Sequence, residues 1–356
     1  MNLLFPSLSD KDNLLIAGPC SAESKQQLLS TAERLREEVG LKLFRAGVWK
    51  PRTRPGGFEG YGEEALSWLR EVREKTGLFV GTEVGSARHT ELALDYGLDF
   101  IWIGTRTTTS PFAVEEIAEV LDGRDIAVLV KNPLAPDIDL WIGAIVRLLN
   151  HGIRRVAAIL RGFYVGGESA LRNIPLWHLA DEFRSKAPVG LPLLCDPSHI
   201  AGDRAYVPSV IREATKRGFD GLIVESHYKP EEALTDSAQQ LLPSELKKIL
   251  TETDPGQSDS SEEDPELVRL RLLLDKIDEE IIRLLHERFS MTDQIGEWKA
   301  FHQMEPHQVS RELKLYETRR KMAEIYHIPE ELVDQIYRLV HAEALRRQEE
   351  QIRTNR

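Results

Sequence analysis

Side chains that could do chemistry follow eight short apolar segments in the first 250 residues. Each segment ends in a residue able to bind an anion, ligate a metal or transfer a proton. In chain order these residues are Cys20, then Arg45 with Lys50 and Arg52, Glu83, Arg106, Lys131, Arg161, Asp196 with His199, and Glu225. One buried cysteine or one solvated arginine carries little information, but eight consecutive segments with this arrangement indicate one shared site.

These residues, with Asp236, form two chemical sets. The cationic set consists of Arg45, Lys50, Arg52, Arg106, Lys131 and Arg161. Such cations suit a strongly anionic substrate, because arginine forks match phosphate and carboxylate oxygens. The ligand set consists of Cys20, His199, Glu225 and Asp236. Its sulfur, nitrogen and oxygen donors suit manganese, iron or zinc better than magnesium. Spacing alone leaves this metal site open, because no Cys-x-x-Cys or His-Glu-x-x-His motif is present.

A second group of polar residues interrupts a helical apolar stripe near the C-terminus. The stripe consists of Leu267, Leu270, Leu274, Ile277, Ile281, Leu284, Met291, Ile295 and Trp298. Arg288 occupies a position where the stripe calls for an apolar residue, and a buried guanidinium needs an anionic partner. An arginine that snorkels from the helix edge is the alternative. Lys299 lies three turns further on nearly the same face, and Gln348 continues the face of Val340 and Ala344.

The elements that position the first group alternate between strand and helix patterns. Candidate strands span 14–18, 41–45, 78–82, 99–104, 126–130, 155–160, 191–195 and 221–225. Amphipathic segments such as 24–39 and 137–152 lie between them. Eight strand-then-helix units in about 250 residues predict a (β/α)8 TIM barrel. A doubly wound open sheet is the alternative, although no Gly-x-Gly-x-x-Gly motif follows the first strand.

The composition changes near residue 250. Residues 251–265, TETDPGQSDSSEEDP, contain six acids and no base, which predicts a flexible acidic linker. We therefore expect a barrel domain over 1–250, the linker over 251–265, and a helical domain over 266–356. The helical domain is predicted to hold one helix of roughly 35 residues and two shorter ones, about 308–325 and 330–352. Three such helices have little core of their own, so a homodimer is expected.

Charge and cysteine content exclude several classes of protein. The net charge is −12, from 58 acidic and 46 basic residues, which disfavours nucleic acid as the main ligand. No apolar run reaches the ~18 residues of a membrane span, and the N-terminus lacks the basic start of a signal peptide. Two cysteines cannot form a disulfide framework, so a reducing compartment, the cytoplasm, is expected.

Eight strings of the first domain, in order, resemble the compact subgroup of the 3-deoxy-D-arabino-heptulosonate 7-phosphate (DAHP) synthase family. They are AGPCS (17–21), FRAGVWKPRT (44–53), IGTR (103–106), VLVKNP (128–133), ILRG (159–162), CDPSH (195–199), IVESH (223–227) and LTDSAQQL (234–241). The resemblance implies a metal-dependent condensation of phosphoenolpyruvate with erythrose 4-phosphate, which opens the shikimate pathway. The sister synthase that uses arabinose 5-phosphate is disfavoured, because its loop resembles Lys-Ala-Asn-Arg rather than Lys50-Pro51-Arg52-Thr53.

The resemblance also implies roles for individual residues. The metal ligands it implies are Cys20, His199, Glu225 and Asp236. Mn²⁺ is the favoured ion, and Fe²⁺, Co²⁺ or Zn²⁺ are alternatives. The phosphoenolpyruvate site it implies is Arg45, Lys50, Arg106, Lys131 and Arg161, and Lys50, Pro51, Arg52 and Thr53 hold erythrose 4-phosphate. Glu83 is a candidate for handling the attacking water, with an ordinary buried ion pair as the alternative. Cys195 matches no ligand and is assigned to the core.

The second domain, from residue 267 to Gln348, resembles the all-helical chorismate mutases. That resemblance implies that the two carboxylates of chorismate are bound by Arg271 and Arg288. It also implies that Arg271 reaches in from the partner protomer. Lys299 and Gln348 then meet the ether oxygen of the breaking bond. Glu312 meets the ring hydroxyl and Arg311 supports it, while Gln308 stands where some members carry an acid. The rearrangement to prephenate needs no cofactor.

Together these features predict a bifunctional synthase and mutase. The alternative is a helical domain that serves only for dimerisation or ligand sensing, although a simple zipper would carry apolar residues at several of the polar positions. Because the second domain handles a downstream metabolite, we also expect prephenate or chorismate bound there to lower synthase activity.

Overall fold

The computed structural model of the chain describes residues 4–6, 14–50, 56–165, 171–253, 265–305 and 307–354. The chain divides into two compact units, Met1–Leu272 and Leu273–Arg356. Each unit is described by itself. Among the helices that the structure describes, none combines the length and the apolar character that crossing a membrane requires.

The first unit is built on a closed barrel of eight parallel strands, in which each strand pairs with its neighbours in sequence and β1 pairs with β8. The strands are β1 (Leu14–Gly18), β2 (Leu43–Arg45), β3 (Phe79–Val84), β4 (Phe100–Ile103), β5 (Ala127–Lys131), β6 (Val156–Leu160), β7 (Leu193–Cys195) and β8 (Gly221–Glu225). Every strand overlaps its predicted segment. The barrel prediction is confirmed and the open-sheet alternative is wrong.

Helices connect the strands, as a (β/α)8 barrel requires. They are α1 (Lys25–Arg34), α2 (Glu63–Thr76), α3 (Ala87–Asp95), α4 (Thr105–Thr108), α5 (Pro111–Leu121), α6 (Ile138–Asn150), α7 (Trp177–Lys186), α8 (Pro197–Ala201), α9 (Val207–Lys216) and α10 (Pro243–Thr253). Several begin at a residue whose side chain accepts a backbone N–H, such as Ser24, Ser86, Ser110 and Asp137. These caps satisfy donors that the first helical turn leaves unpaired.

Two apolar clusters hold the barrel unit together. One fills the space between strands and helices, and the other fills the inside of the barrel. Leu4 and Phe5 belong to the inner cluster, where the Phe5 ring meets Phe100 edge to face at 5.8 Å. Arg155 Nε donates to the Leu4 carbonyl at 2.9 Å and so ties this short segment to the barrel. The interior is therefore a packed core, and chemistry is confined to one end of it.

The second unit is helical, as predicted. It contains most of α11 (Pro265–Phe301), followed by α12 (Val309–Ile325) and α13 (Glu330–Thr354). The long helix has 37 residues against the roughly 35 predicted. Of the predicted linker, residues 254–264 lie outside the described residues. Several apolar side chains of α11 are about half exposed within the single chain, namely Leu274, Ile277, Ile281, Leu284, Met291, Ile295 and Trp298.

Candidate active sites

The barrel strands carry five buried polar side chains to one end of the barrel. Successive strand residues face opposite sides, so a residue two positions beyond an interior apolar residue also points inward. The interior residues Leu43, Leu129, Ile159, Leu194 and Ile223 lead in this way to Arg45, Lys131, Arg161, Asp196 and Glu225. All five polar residues are buried. The polar residues at the strand ends thus face the same way as the apolar residues inside the barrel, and they lie just beyond that apolar core.

A cavity of about 410 Å³ opens at this end. It is lined by Lys50, Glu83, Thr105, Arg106, Lys131, Leu134, Arg161, Tyr164, Arg172, Asn173, His199 and Asp236. Four residues of the cationic set line the cavity directly, and Arg45 lies buried next to Glu225. Pro51, Arg52 and Thr53 lie outside the described residues. The cavity therefore brings together most of the described residues that the sequence singled out.

Three residues of the ligand set converge beside the cavity. The ligand atoms of Cys20, Glu225 and Asp236 all lie within 4.8 Å of one another. The Cys20 thiol donates to Asp236 Oδ2 at 3.2 Å. The fourth residue, His199, presents Nε2 at 3.6 Å from Glu225 Oε1. Its other ring nitrogen, Nδ1, lies 2.8 Å from Asp196 Oδ2. A carboxylate that holds one imidazole nitrogen while the other points at acidic ligands is the usual arrangement of a histidine that ligates a metal.

The electrostatics of this cluster suit a cation. Burial, reinforced by the Glu225 carboxylate, raises the pKa of the Cys20 thiol to about 12. A thiol with such a pKa becomes a thiolate at neutral pH only when a positive charge compensates it. Asp236 sits at φ 47°, a left-handed backbone conformation that holds its carboxylate against Cys20. The donors of this cluster fit a divalent metal of intermediate softness.

Part of the cavity lining is cationic. Lys131 Nζ lies 2.7 Å from Asp196 Oδ2, and burial lowers the pKa of Arg161 to about 10. Within the described part of the chain, Arg161 Nη1 and Thr105 Oγ1 are buried atoms without a hydrogen-bond partner. Buried donors are nearly always satisfied in folded proteins, so these two point to a missing polar ligand. An anion with several oxygens would satisfy them.

Glu83 is another residue of the cavity lining. Its Oε2 accepts a hydrogen bond from Trp102 Nε1 at 2.9 Å. Gly104 leaves room for the Glu83 carboxylate. A Cβ at position 104 would lie 2.2 Å from Glu83 Oε1. Among the described residues, the hydrogen-bond partner of Glu83 is thus an indole rather than a neighbouring arginine. The carboxylate lines the cavity and is free to face a ligand.

Sequence reasoning missed several residues of this site. Arg172 Nη1 donates to Asp236 Oδ1 at 3.0 Å and to Gln239 Oε1 at 2.9 Å. Gln239 in turn donates through Nε2 to Glu225 Oε2 at 2.6 Å. Arg172 thus orients two carboxylates of the ligand set, one directly and one through Gln239. Strand-end reasoning could not find it, because it lies in the loop that follows β6.

In the helical unit, the side chains of Lys299 and Gln348 contact each other. Lys299 Nζ donates to Gln348 Oε1 at 3.0 Å, and both side chains are buried. Burial lowers the pKa of Lys299. An ammonium held by a neutral amide keeps its positive charge available, so this pair can face a developing negative charge.

Arg288 lies in the same unit and is half-buried. Its Nη1 is buried and has no hydrogen-bond partner among the residues that the structure describes. Burial lowers the pKa of Arg288, and nearby Arg319 lowers it further. Arg319 was not anticipated, although it lies seven residues after Glu312 on the same helix. Two neighbouring guanidiniums favour an anionic ligand over a solvated surface position.

Glu312 has histidine partners. Its Oε2 lies 2.7 Å from His307 Nε2, and its Oε1 lies 3.6 Å from His341 Nε2. The hydrogen bond with His307 lowers the pKa of Glu312. Arg311 and Gln308 are exposed, and Gln308 is the residue immediately before α12. The backbone of Arg271 lies in α11, but its side chain lies outside the described residues.

Comparison with known proteins assigns each unit to a family. Residues 8–257 match the DAHP synthetase I family, and residues 270–349 match chorismate mutase type II. A phospho-2-dehydro-3-deoxyheptonate aldolase of Thermotoga maritima is 34% identical over 242 residues, which cover 66% of this chain and 69% of that protein. A crystal structure of a DAHP synthase from the same organism superimposes with a TM-score of 0.61 at 32% identity, covering 67% of each chain.

A sister activity is represented among the more distant relatives. A 2-dehydro-3-deoxyphosphooctonate aldolase of Geobacter sulfurreducens is 28% identical over 265 residues, which cover 67% of this chain and 92% of that protein. The matches therefore favour the synthase family over its sister.

Proposed function

The chain belongs to the DAHP synthetase I family and carries a C-terminal chorismate mutase type II domain; from this we propose how each site works. The barrel condenses phosphoenolpyruvate with erythrose 4-phosphate to DAHP and phosphate. The observation that carries this function is the cavity whose partly cationic lining lies beside a cluster of metal-ligand side chains. The cationic residues suit the anionic phosphoenolpyruvate, and the cluster suits a carbonyl oxygen held by a cation.

We propose that Cys20, His199, Glu225 and Asp236 hold a divalent metal, with Mn²⁺ as the favoured ion and Fe²⁺, Co²⁺ or Zn²⁺ as alternatives. The donor set and the high pKa of the buried thiol support this assignment. When bound, such an ion supplies Lewis-acid polarisation of the erythrose 4-phosphate aldehyde. Arg172 and Gln239 keep the Asp236 and Glu225 carboxylates in place.

The remaining groups bind and orient the substrates. Arg106, Lys131 and Arg161, together with the buried Arg45, hold the carboxylate and phosphate of phosphoenolpyruvate. Lys50 lines the cavity, with Nζ 3.0 Å from Cys20 Sγ, and continues into the Pro51-Arg52-Thr53 stretch that we assign to erythrose 4-phosphate. Held in this way, C3 of phosphoenolpyruvate attacks the aldehyde carbon. Water then adds at C2 and gives one proton to Glu83, and that proton balances the one taken up by the aldehyde oxygen as it becomes a hydroxyl. The C2–O bond to phosphate then breaks, C2 becomes a ketone, and phosphate leaves with the second water proton.

A direct assay separates this function from that of the sister synthase. The purified full chain with Mn²⁺ should release one phosphate per DAHP formed from phosphoenolpyruvate and erythrose 4-phosphate. Arabinose 5-phosphate in place of erythrose 4-phosphate should give a much lower kcat/KM. A higher kcat/KM with arabinose 5-phosphate would assign the barrel to the sister activity.

For the helical domain we propose the rearrangement of chorismate to prephenate. The observation that carries it is a buried Arg288 donor without a partner in the described chain, together with the Lys299–Gln348 pair. Arg288 binds a carboxylate, and Lys299 with Gln348 faces the ether oxygen on which negative charge grows. Glu312 meets the ring hydroxyl with Arg311 beside it. No cofactor is required, so metal-free full chain should convert chorismate to prephenate.

We propose that the helical domain forms a homodimer, with Arg271 completing the partner's site. The exposed apolar side chains of α11 support this, since contiguous exposed apolar surface of this kind usually marks an interface. An Ile281→Glu substitution should convert a dimer into a monomer in light scattering and lower mutase activity. A monomeric unaltered chain with full mutase activity would refute the proposal.

Control of the barrel by the helical domain is also part of the proposed function. Chorismate or prephenate bound at Arg288 and Lys299 would lower synthase activity by favouring one arrangement of the domains, which we place at 1–250 and 266–356 around the 251–265 linker. Prephenate should inhibit the intact chain and lose its effect on a chain cut within 251–265. Equal inhibition of both, or none of the intact chain, would reject this control. We further propose that the enzyme works in the cytoplasm, where its two free cysteines stay reduced.

A further inference from the structure

A second cluster of potential metal ligands lies in the helical unit. His307 precedes α12, Glu312 lies in its first turn, and His341 lies in α13. One ligand atom from each of the three residues lies within 4.8 Å of the other two. Two stretches of chain, residues 307–312 and helix α13, therefore converge on one small space. None of the roles assigned to the synthase or the mutase uses the two histidines.

Hydrogen bonding alone does not account for this arrangement. His307 and Glu312 form an ordinary pair, with Nε2 2.7 Å from Oε2. His341 differs, because its Nε2 is buried, lies 3.6 Å from Glu312 Oε1, and has no hydrogen-bond partner in the described part of the chain. A buried ring nitrogen without a partner is unusual and calls for an explanation. A ligand between His341 and Glu312 would provide one.

The distances suit a transition-metal ion. Zinc binds imidazole nitrogen and carboxylate oxygen at about 2.0–2.2 Å in tetrahedral geometry, which separates neighbouring ligand atoms by about 3.3 Å. The observed separations of 2.7 Å and 3.6 Å lie on either side of that value. Half of the His307 side chain is exposed, so it has room for the small shift required. Two imidazoles and one carboxylate are a common zinc set that leaves the fourth position open.

We propose that His307, Glu312 and His341 form a binding site for a divalent cation of the zinc class, and that the bound cation inhibits the mutase. The inhibition rests on the proposed function, because it works by withdrawing Glu312 from the chorismate ring hydroxyl. Imidazole-rich sets prefer zinc, copper or nickel over magnesium or calcium. The inhibitor is thus a borderline transition-metal ion, distinct in chemistry from the Mn²⁺ proposed for the barrel.

The surrounding charges make the site reversible. Arg288 and Arg319 lie close enough to His341 to act on it electrostatically, and both repel a cation. A single carboxylate offsets part of that repulsion. The same two arginines attract the dicarboxylate substrate, so chorismate and the metal ion compete for Glu312. Inhibition should therefore weaken as the chorismate concentration rises.

The test compares His341→Ala with a matched control, His286→Ala, which removes an exposed histidine of α11 in the same unit. Both full chains keep the barrel cluster. Equilibrium dialysis against Zn²⁺ should find one equivalent per chain fewer in His341→Ala than in His286→Ala. Loss of a residue that merely supports a metal ligand costs ~10–100-fold in affinity. The Zn²⁺ concentration that halves mutase activity, relative to each variant's own metal-free rate, should thus rise at least about tenfold in His341→Ala only.

Equal zinc equivalents and equal inhibition in the two variants would overturn the proposal. His307→Ala alters an exposed side chain and repeats the test should His341→Ala fail to fold. If the unaltered chain has no mutase activity without metal, the proposed function fails, while dialysis still decides whether the site exists. If mutase activity is present and zinc neither binds nor inhibits there, the proposed function stands and this site does not.

Discussion

The barrel unit and the helical unit differ in how their buried cations are paired. In the barrel, Arg45 pairs with Glu225 at 3.1 Å and Lys131 pairs with Asp196 at 2.7 Å. In the helical unit, Arg288 has a buried donor without a hydrogen-bond partner among the described residues, and Lys299 Nζ donates to the neutral amide of Gln348. The barrel thus holds Arg45 and Lys131 with its own carboxylates, whereas Arg288 of the helical unit, like Arg161 of the barrel, keeps a donor for an incoming anion.

The two units also differ in how they cover apolar surface. The barrel buries its apolar strand residues in two continuous clusters within one chain. The long helix α11 leaves a row of apolar side chains about half exposed. A packed core of the first kind fixes side chains without help from another molecule. The second kind is what a partner surface would cover, which agrees with the homodimer proposed above.

The largest expected effect concerns the thiol. Cys20→Ala removes the sulfur of the proposed metal cluster, and Lewis-acid stabilisation is worth several kcal/mol, so synthase kcat/KM should fall at least about a thousandfold. Mutase activity of the same chain should be kept, because the helical unit needs no metal. Coupled assays of DAHP and prephenate formation on one preparation measure both.

Cys195→Ala is the matched control, because it removes the other buried cysteine, which lies in the apolar cluster outside the barrel interior. It should retain most synthase activity and lose a little thermal stability. Full synthase activity of Cys20→Ala after metal removal would refute the ligand assignment.

A smaller loss is expected for the unpaired arginine of the helical unit. Arg288→Ala should lower mutase kcat by about 10²–10³-fold, the usual cost of removing one donor aimed at developing or bound negative charge. Synthase activity should not change. Arg283→Ala is the control, since Arg283 lies exposed on the same helix and pairs with Glu287. Equal mutase rates for the two variants would show that Arg288 only snorkels from the helix edge.

The sequence predicts those site residues that belong to a repeating pattern of strands and helices. Lys131, Arg161 and Glu225 are predicted because each one ends or directly follows an apolar strand segment of a barrel. In the structure, the alternation of side chains along the strand turns these residues inward. Arg172 was missed because its place depends on the path of the loop after β6, which has no repeating pattern. His307 and His341 were missed for a related reason, since packing of α12 against α13 brings together residues 34 positions apart.

Arg172 tests whether a loop of the barrel, as well as its strands, holds the metal-ligand side chains in place. Arg172→Ala removes the donor that holds Asp236 and, through Gln239, Glu225. The Mn²⁺ concentration for half-maximal synthase activity should rise by ~10–100-fold, with a smaller change in kcat at saturating Mn²⁺. Arg184→Ala is the control, because Arg184 donates to the carbonyls of Arg217 and Gly218 and contacts Asp181 and Phe219, none of which lines the cavity. A loss of kcat that excess Mn²⁺ does not restore would place Arg172 at the substrate instead.

The smallest expected effect is on the pH dependence of the mutase. Burial lowers the pKa of Lys299, so this ammonium loses its proton at a pH below the 10.5 usual for lysine. The protonated form is the one that stabilises negative charge on the ether oxygen, so kcat should be flat at neutral pH and fall about tenfold per pH unit above the lowered pKa. Lys299→Arg keeps its charge throughout this range and should remove the alkaline fall, even where its kcat is lower. An identical alkaline fall in Lys299→Arg would assign the titration to another group and leave Lys299 a structural partner of Gln348.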